Sequence, residues 1–68
     1  RKYLKAMGDR IRSLRKEKGL SQEKLADECD LHRTYIGGVE RGERNLSALN
    51  VVKIARVLKV SPGQILPD

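Results

Sequence analysis

The segment from Arg33 to Asn45 reads RTYIGGVERGERN and holds the side chains best suited to chemistry. At about 100° per residue around a helix, Arg33, Gly37, Arg41, Thr34 and Gly38 share one side. Tyr35, Val39, Ile36 and Glu40 share the other. One face is polar and cationic, and the other seeks a core. The Arg33 guanidinium has the fork to span guanine O6 and N7, a contact worth roughly 1–3 kcal/mol of discrimination between bases. Thr34 offers a methyl to thymine or a hydroxyl to phosphate. Tyr35, at the edge of the core face, either reaches a phosphate with its hydroxyl or simply packs its ring. Arg41 extends the cationic side toward phosphate. Gly37 and Gly38 each cost about 1 kcal/mol of helix propensity relative to Ala. Either neighbouring helices hold the segment regardless, or bare backbone lets it lie deep in a major groove. The pattern predicts base contact by Arg33, Thr34, Gly37 and Gly38. Gln22 begins the preceding helix, whose free N–H groups suit a phosphate.

Other reactive chemistry has no supporting constellation. His32 sits in a turn without a second ligand, and Cys29 has no neighbouring base to activate it. Ser21, Ser47 and Ser61 stand where helix caps belong. One Cys and one His make neither a disulfide framework nor a zinc site. No glycine motif for cradling phosphates is present. The expectation is a protein that is not an enzyme, with no metal and no cofactor.

These residues must be positioned by a chain of 68 residues, the size of one small domain spanning 1–68. Lys plus Arg number 15 against 9 Asp plus Glu, a formal net charge of +6. Residues 1–18 hold eight basic side chains opposed only by Asp9 and Glu17, so this segment accounts for the whole net charge. Such a segment is either a solvated basic helix face or an attraction to a polyanion. A membrane-surface helix wants a broad apolar face, and the apolar stripe here is narrow. No run approaches 18 apolar residues, and no membrane partner is expected. The lone Cys and the lack of a signal-peptide pattern point to a reducing, cytoplasmic setting.

The apolar spacing supplies the elements. Leu4, Met7, Ile11 and Leu14 predict an amphipathic helix from about Lys2 to Lys18, stopped by Gly19. Ser21 caps a second helix, Gln22 to about Cys29, with Leu25, Ala26 and Cys29 inward and Leu20 stapled to Leu25. Asp30 breaks it, and Leu31 plugs a short turn. A third helix runs from about Arg33 to Arg41 and ends at Gly42. Ser47 or Asn45 caps a fourth, with Ala48, Val51, Val52, Ile54, Ala55 and Leu58 inward. Ser61-Pro62 starts a brief fifth helix through Ile65 and Leu66. The prediction is an all-α fold of five short helices. Its second and third helices, joined by a tight turn, form a helix-turn-helix over about residues 21–41.

From Leu20 the chain reads LSQEKLADECDLHRTYIGGVERGERN, which resembles the Cro/C1-type (XRE) family of prokaryotic DNA-binding domains. The run HRTYI–VERGERN is most similar to the controller proteins of restriction-modification systems and related small regulators. The features that carry this are the SQE start, Ala26 at the helix crossing, Leu31 in the turn, Ile36 and Val39, and the Glu40-Arg41-Gly42 exit. Asp30 departs from the family, which usually has Gly there. Asp tolerates positive φ better than most residues. The resemblance implies a compact, five-helix lambda-repressor-like domain that binds specific double-stranded DNA and regulates transcription. It implies phosphate contacts from Gln22, Tyr35, Arg41, Arg44 and Asn45. It also implies a structural ion pair between Arg15 and Glu40.

The same resemblance implies a homodimer on a pseudo-palindromic operator, with Leu49, Ile65 and Leu66 as its interface; otherwise these three complete the monomer core. Glu23 and Asp27 fall where activating acids occur in the family, implying contact with RNA polymerase through Glu23, Asp27 and Glu28, or these acids serve only solubility. Two rivals remain at this point. One is the antitoxin of a toxin–antitoxin operon. The other is a protein-interaction module that no longer binds DNA, against which the basic first helix and Arg33, Arg41 and Arg44 weigh.

Overall fold

Helix formation follows the apolar spacing closely. The computed structural model describes residues 2–67; Arg1, counted above with the basic segment, lies outside them, as does Asp68. Four α-helices run in order: α1 (Lys2–Glu17), α2 (Gln22–Cys29), α3 (Arg33–Glu40) and α4 (Ala48–Leu58). The expectation of a fifth helix is corrected. Residues Pro62–Gln64 make a single 3-10 turn instead. The Gln64 side chain folds back to accept the Ser61 N–H at 3.1 Å, and Pro67 follows Leu66, disfavouring a helical conformation there. One turn is all the segment can propagate.

All four helices end by one device; at α3, Gly42 (φ 77°) sends the Glu43 N–H back to the Gly38 carbonyl at 2.8 Å, and the other three close on an apolar residue. Gly19, Asp30 and Lys59 adopt positive φ of 71°, 58° and 60°. The next residue's N–H then reaches back five residues: Leu20 to the Arg15 carbonyl (3.1 Å), Leu31 to Ala26 (2.9 Å) and Val60 to Ala55 (3.0 Å). Each of these three returning residues is apolar and packs on the core, as is usual at this terminus. Asp30 and Lys59 bear the strain of a left-handed residue with a Cβ. The caps at the other ends are equally local. Ser21 Oγ accepts from Lys24 N–H at 3.0 Å, and Ser47 Oγ from Asn50 N–H at 3.1 Å. His32 Nδ1 accepts from Thr34 N–H at 3.1 Å, starting α3. The His in the turn is therefore a cap. Asn45, the alternative start for α4, instead turns its side chain to the Leu46 N–H.

The core gathers Met7 and Ile11 of α1, Leu25 of α2, Ile36 and Val39 of α3, Ile54 and Leu58 of α4, and Ile65 beyond the last turn. Val51, Ile54, Ala55 and Leu58 form the buried stripe of α4. Ala48 and Val52, expected inward, are exposed; Val52 lies 100° round from Val51 and off that stripe. Among the described residues no helix is long and apolar enough to cross a membrane.

The position of α3 rests on a close backbone approach to α1. A Cβ at Gly8 would press on the Val39 carbonyl oxygen and lie 2.7 Å from that of Glu40. Both contacts are to backbone, which cannot swing aside. Gly8→Ala is therefore expected to lower stability by roughly 1–3 kcal/mol, although Ala is the better helix former. Urea unfolding followed by circular dichroism measures this, and an unchanged midpoint would mean that α1 and α3 separate freely.

Candidate nucleic-acid interface

Two helices and one loop build the cationic face. The N-terminus of α3 presents Arg33 and Thr34, both exposed. A cleft of about 270 Å³ between α2 and α3 brings together Gln22, Glu23, Arg33, Thr34, Gly37 and Arg41. Arg41 and Glu43 meet at 3.1 Å on the surface, both more than half exposed. An exposed pair of this kind contributes little, so Arg41 is readily released to another anion. Arg33 takes part in no ion pair among the described residues.

Behind the face lies a buried ionic network. Arg15 Nε donates to Glu40 Oε2 at 2.7 Å, and Arg15 Nη2 to Glu40 Oε1 at 3.0 Å. Arg15 Nη1 donates to the Leu20 carbonyl at 2.7 Å, and Gln22 Nε2 to Glu40 Oε1 at 3.0 Å. Arg15 and Glu40 are 7% and 4% exposed, so this is an interior salt bridge with every buried polar atom partnered among the described residues. Gln22, expected on a phosphate, has its amide braced by Glu40, which fixes how the first turn of α2 faces outward.

Several expected contact residues have intramolecular commitments. Tyr35 is half-buried; its hydroxyl donates to the Asn45 carbonyl at 2.9 Å and accepts from Asn50 Nδ2 at 3.3 Å. The phenol has one proton, and Asn45 holds it, so a direct Tyr35 hydrogen bond to phosphate would first break this link. Arg44 lies over the Tyr35 ring, 5.3 Å from its centroid. Gly37 and Gly38, expected as open backbone, are both buried. Gly37 is covered by Arg41 and Gln22, and Gly38 by the stem of Arg44. The space beside each glycine is filled by this chain's own side chains.

Residues expected to meet a second copy divide. Ile65 is fully buried in its own chain's core and has no surface to offer. That part of the expected interface is corrected. Leu66 is half-buried, and its carbonyl accepts from Arg10 Nη1 at 2.9 Å. Leu49 is 65% exposed, and Val52, one helical turn on, 40%. Sequence reasoning missed Val52, Asn50, Gly8 and the Arg10 tie. Gly8 did leave a signal, being a glycine inside a helical stripe.

Cys29 is buried, with Sγ 3.8 Å from the Lys53 carbonyl. Burial, and secondarily the Glu28 charge, push its thiol up to about 11, the behaviour of a small hydrophobe. Among the described residues no group of three His, Cys, Asp or Glu is placed to hold a metal ion.

A helix-turn-helix family model matches residues 11–65. The chain belongs to the helix-turn-helix family. Within it, the chain is 53% identical over 60 residues to the control protein C.BamHI of Bacillus amyloliquefaciens, covering 87% of this chain and 74% of that one. The crystal structure of the restriction-modification controller protein C.AhdI from Aeromonas hydrophila superposes with a TM-score of 0.90. The identity is 49%, over 93% of this chain and 96% of that one. The biofilm master regulator SinR, solved in complex with DNA, superposes with a TM-score of 0.84 at 35% identity, over 87% and 95% of the two chains. The family assignment thus agrees with the resemblance read from the SQE start and the ERGERN exit.

Removing one member of this network should be costly for a helix-turn-helix domain built around it. Glu40→Gln is expected to lower stability by roughly 3–5 kcal/mol by leaving Arg15 unpaired in the interior. Arg15→Met should recover part of that loss, so that a double-mutant cycle of unfolding free energies shows coupling. Strict additivity would mean that the two charges do not depend on each other.

Proposed function

We propose that this helix-turn-helix protein binds specific duplex DNA and regulates transcription, as a repressor that also activates, from a pseudo-palindromic operator. The observation that carries this is the exposed Arg33–Thr34 end of α3, set beside Gln22 and Arg41 on a helix fixed from behind by the Arg15–Glu40 bridge. Arg33 reads a guanine and Thr34 a neighbouring base or phosphate. Arg41, Arg44 and the first turn of α2 take phosphates, which set register without reading sequence. Asn45 acts through its carbonyl, holding Tyr35. The relatives named control or controller proteins support regulation of transcription over catalysis, and over the antitoxin and non-binding alternatives.

The active form is proposed to be a two-fold dimer, placing two α3 helices about 34–36 Å apart in successive major grooves. Leu49 and Val52 supply its apolar surface, with Leu66 at the margin. Glu23 and Asp27 stand exposed, and Glu28 pairs with Lys24 at 3.5 Å. Beside a promoter these acids would meet a basic surface of RNA polymerase, an encounter governed by charge complementarity and hence by salt.

Arg33→Ala is expected to lose roughly 1–3 kcal/mol of discrimination at one base pair. Arg44→Ala should instead weaken specific and random duplex alike and lower the salt slope by about one unit. Gel shifts across a salt series measure both, and equal weakening of all sequences by Arg33→Ala would make Arg33 a phosphate clamp. No shift by the wild type on any duplex at low salt would end the DNA reading. The dimer has its own check. Leu49→Glu with Val52→Glu should give a folded monomer in sedimentation, binding only half-sites weakly. A wild type that sediments as a monomer at high micromolar concentration and binds without cooperativity would remove it.

A further inference from the structure

Gly38 is a buried glycine in the second half of a short helix. What lies beside it is Arg44. A Cβ built on Gly38 would sit 2.6 Å from Arg44 Cγ, 3.6 Å from Cβ and 3.7 Å from Cδ. The aliphatic stem of Arg44 therefore occupies the notch that the missing side chain leaves. The Gly38 carbonyl meets the same loop, accepting the Glu43 N–H at 2.8 Å and the Arg44 N–H at 3.3 Å. Beyond the notch the guanidinium lies over the Tyr35 ring, within the range of a cation–π contact. The Tyr35 hydroxyl in turn holds the Asn45 carbonyl. Backbone, stem and head of Arg44 are each held by α3.

We propose that Gly38 is a positioning residue for DNA binding: its bare backbone is the seat that aims Arg44 at a phosphate. This rests on the DNA-binding reading above and deepens it. The argument is steric. Cγ is only two bonds from a backbone that two hydrogen bonds pin to Gly38, so a methyl at position 38 cannot be met by a small adjustment of the arginine tip. It forces a new χ1 rotamer or a shifted loop, and either takes the guanidinium off the Tyr35 ring. Gly37 differs. There the atom nearest a built Cβ is Arg41 Nη1 at 3.1 Å, the far end of a flexible side chain. The two adjacent glycines thus have separate roles, and only Gly38 governs the loop. A seated Arg44 also loses less side-chain freedom on binding than a free one, since an immobilised long side chain is an entropic cost of association.

The test is a double-mutant cycle between Gly38→Ala and Arg44→Ala, read on DNA affinity and on melting temperature. Gly38→Ala alone should weaken specific and random duplex by a similar factor to Arg44→Ala. It should lower the salt slope by about 0.9 for each phosphate no longer neutralised, so that affinity falls about three- to fourfold less between 50 and 200 mM salt per protomer. In the Arg44→Ala background the notch is empty, and Gly38→Ala should then have no further effect on affinity. An equal loss in both backgrounds would overturn the proposal and show that the methyl meets DNA itself. No loss in either background would show that Arg44 needs no seat. Should Gly38→Ala fail to fold alone, folding restored by adding Arg44→Ala would establish the clash, and no restoration would refute it. The melting temperatures separate this from the function. If the wild type bound no DNA, a lowered melting point for Gly38→Ala that is reversed by Arg44→Ala would leave the seat standing while the DNA reading fell.

Discussion

Glu40 ends α3 at a point where the helix dipole disfavours a carboxylate, and it is only 4% exposed. Left alone there, its charge would cost several kcal/mol. Three donors remove the problem: two nitrogens of Arg15 and the amide of Gln22. Because these come from α1 and α2, satisfying one carboxylate fixes three helices relative to each other. A patch of Leu and Val would hold the same helices with comparable energy, but apolar contacts slide. A planar guanidinium fork meeting a carboxylate bidentately has essentially one geometry. The bridge therefore sets how α3 is presented, and the apolar core supplies most of the stability.

That geometry is only reachable because α1 and α3 come unusually close. Gly8 lets the α1 backbone rest against the carbonyls of Val39 and Glu40, and Gly42, at φ 77°, brings the chain past Lys5 just after α3 ends. A side chain at Gly8 would hold the helices apart and lengthen the Arg15–Glu40 contacts. Electrostatics and sterics at this crossing are thus a single constraint. Neither the glycine nor the ion pair makes sense without the other.

Periodicity and cap chemistry are local, and those parts of the fold were legible in the sequence. Ser21, Ser47, Gly19 and Asp30 act within a few residues of themselves, and they lie where the spacing places them. The last turn is shorter than its sequence suggests because Ser61-Pro62 starts a helix equally well whether one turn or three follow. Pro67 is what stops it. For Ile65 the resemblance left two readings, dimer interface or monomer core, and only its packing among the other core side chains decides for the core. The candidate site was legible as a set of residue types, with Arg33, Thr34 and Arg41 on one exposed side. The commitments of Tyr35, Arg44 and Gly38 to one another were not. They join a helix to a loop that folds back along it, and nothing in a helical wheel reports a loop's return path.

The placement of charge adds a last consequence. The whole excess of positive charge lies in residues 1–18, most of it on α1, while residues 19–68, which carry α3, sum to zero. In the proposed complex the two regions act at different stages. At 0.1 M salt exposed charges are largely screened beyond about 10 Å, so the basic residues of α1 bias only the last stage of a polyanion's approach, and Lys5 and Arg12 share a cleft with Gln22 and Arg41. Arg33 and Arg44 act only after contact, at hydrogen-bond range. Electrostatic attraction at a distance raises encounter rates but does not distinguish sequences. A balanced remainder of the chain is then an advantage: a strongly basic α3 would grip any phosphate backbone and slow the search for an operator.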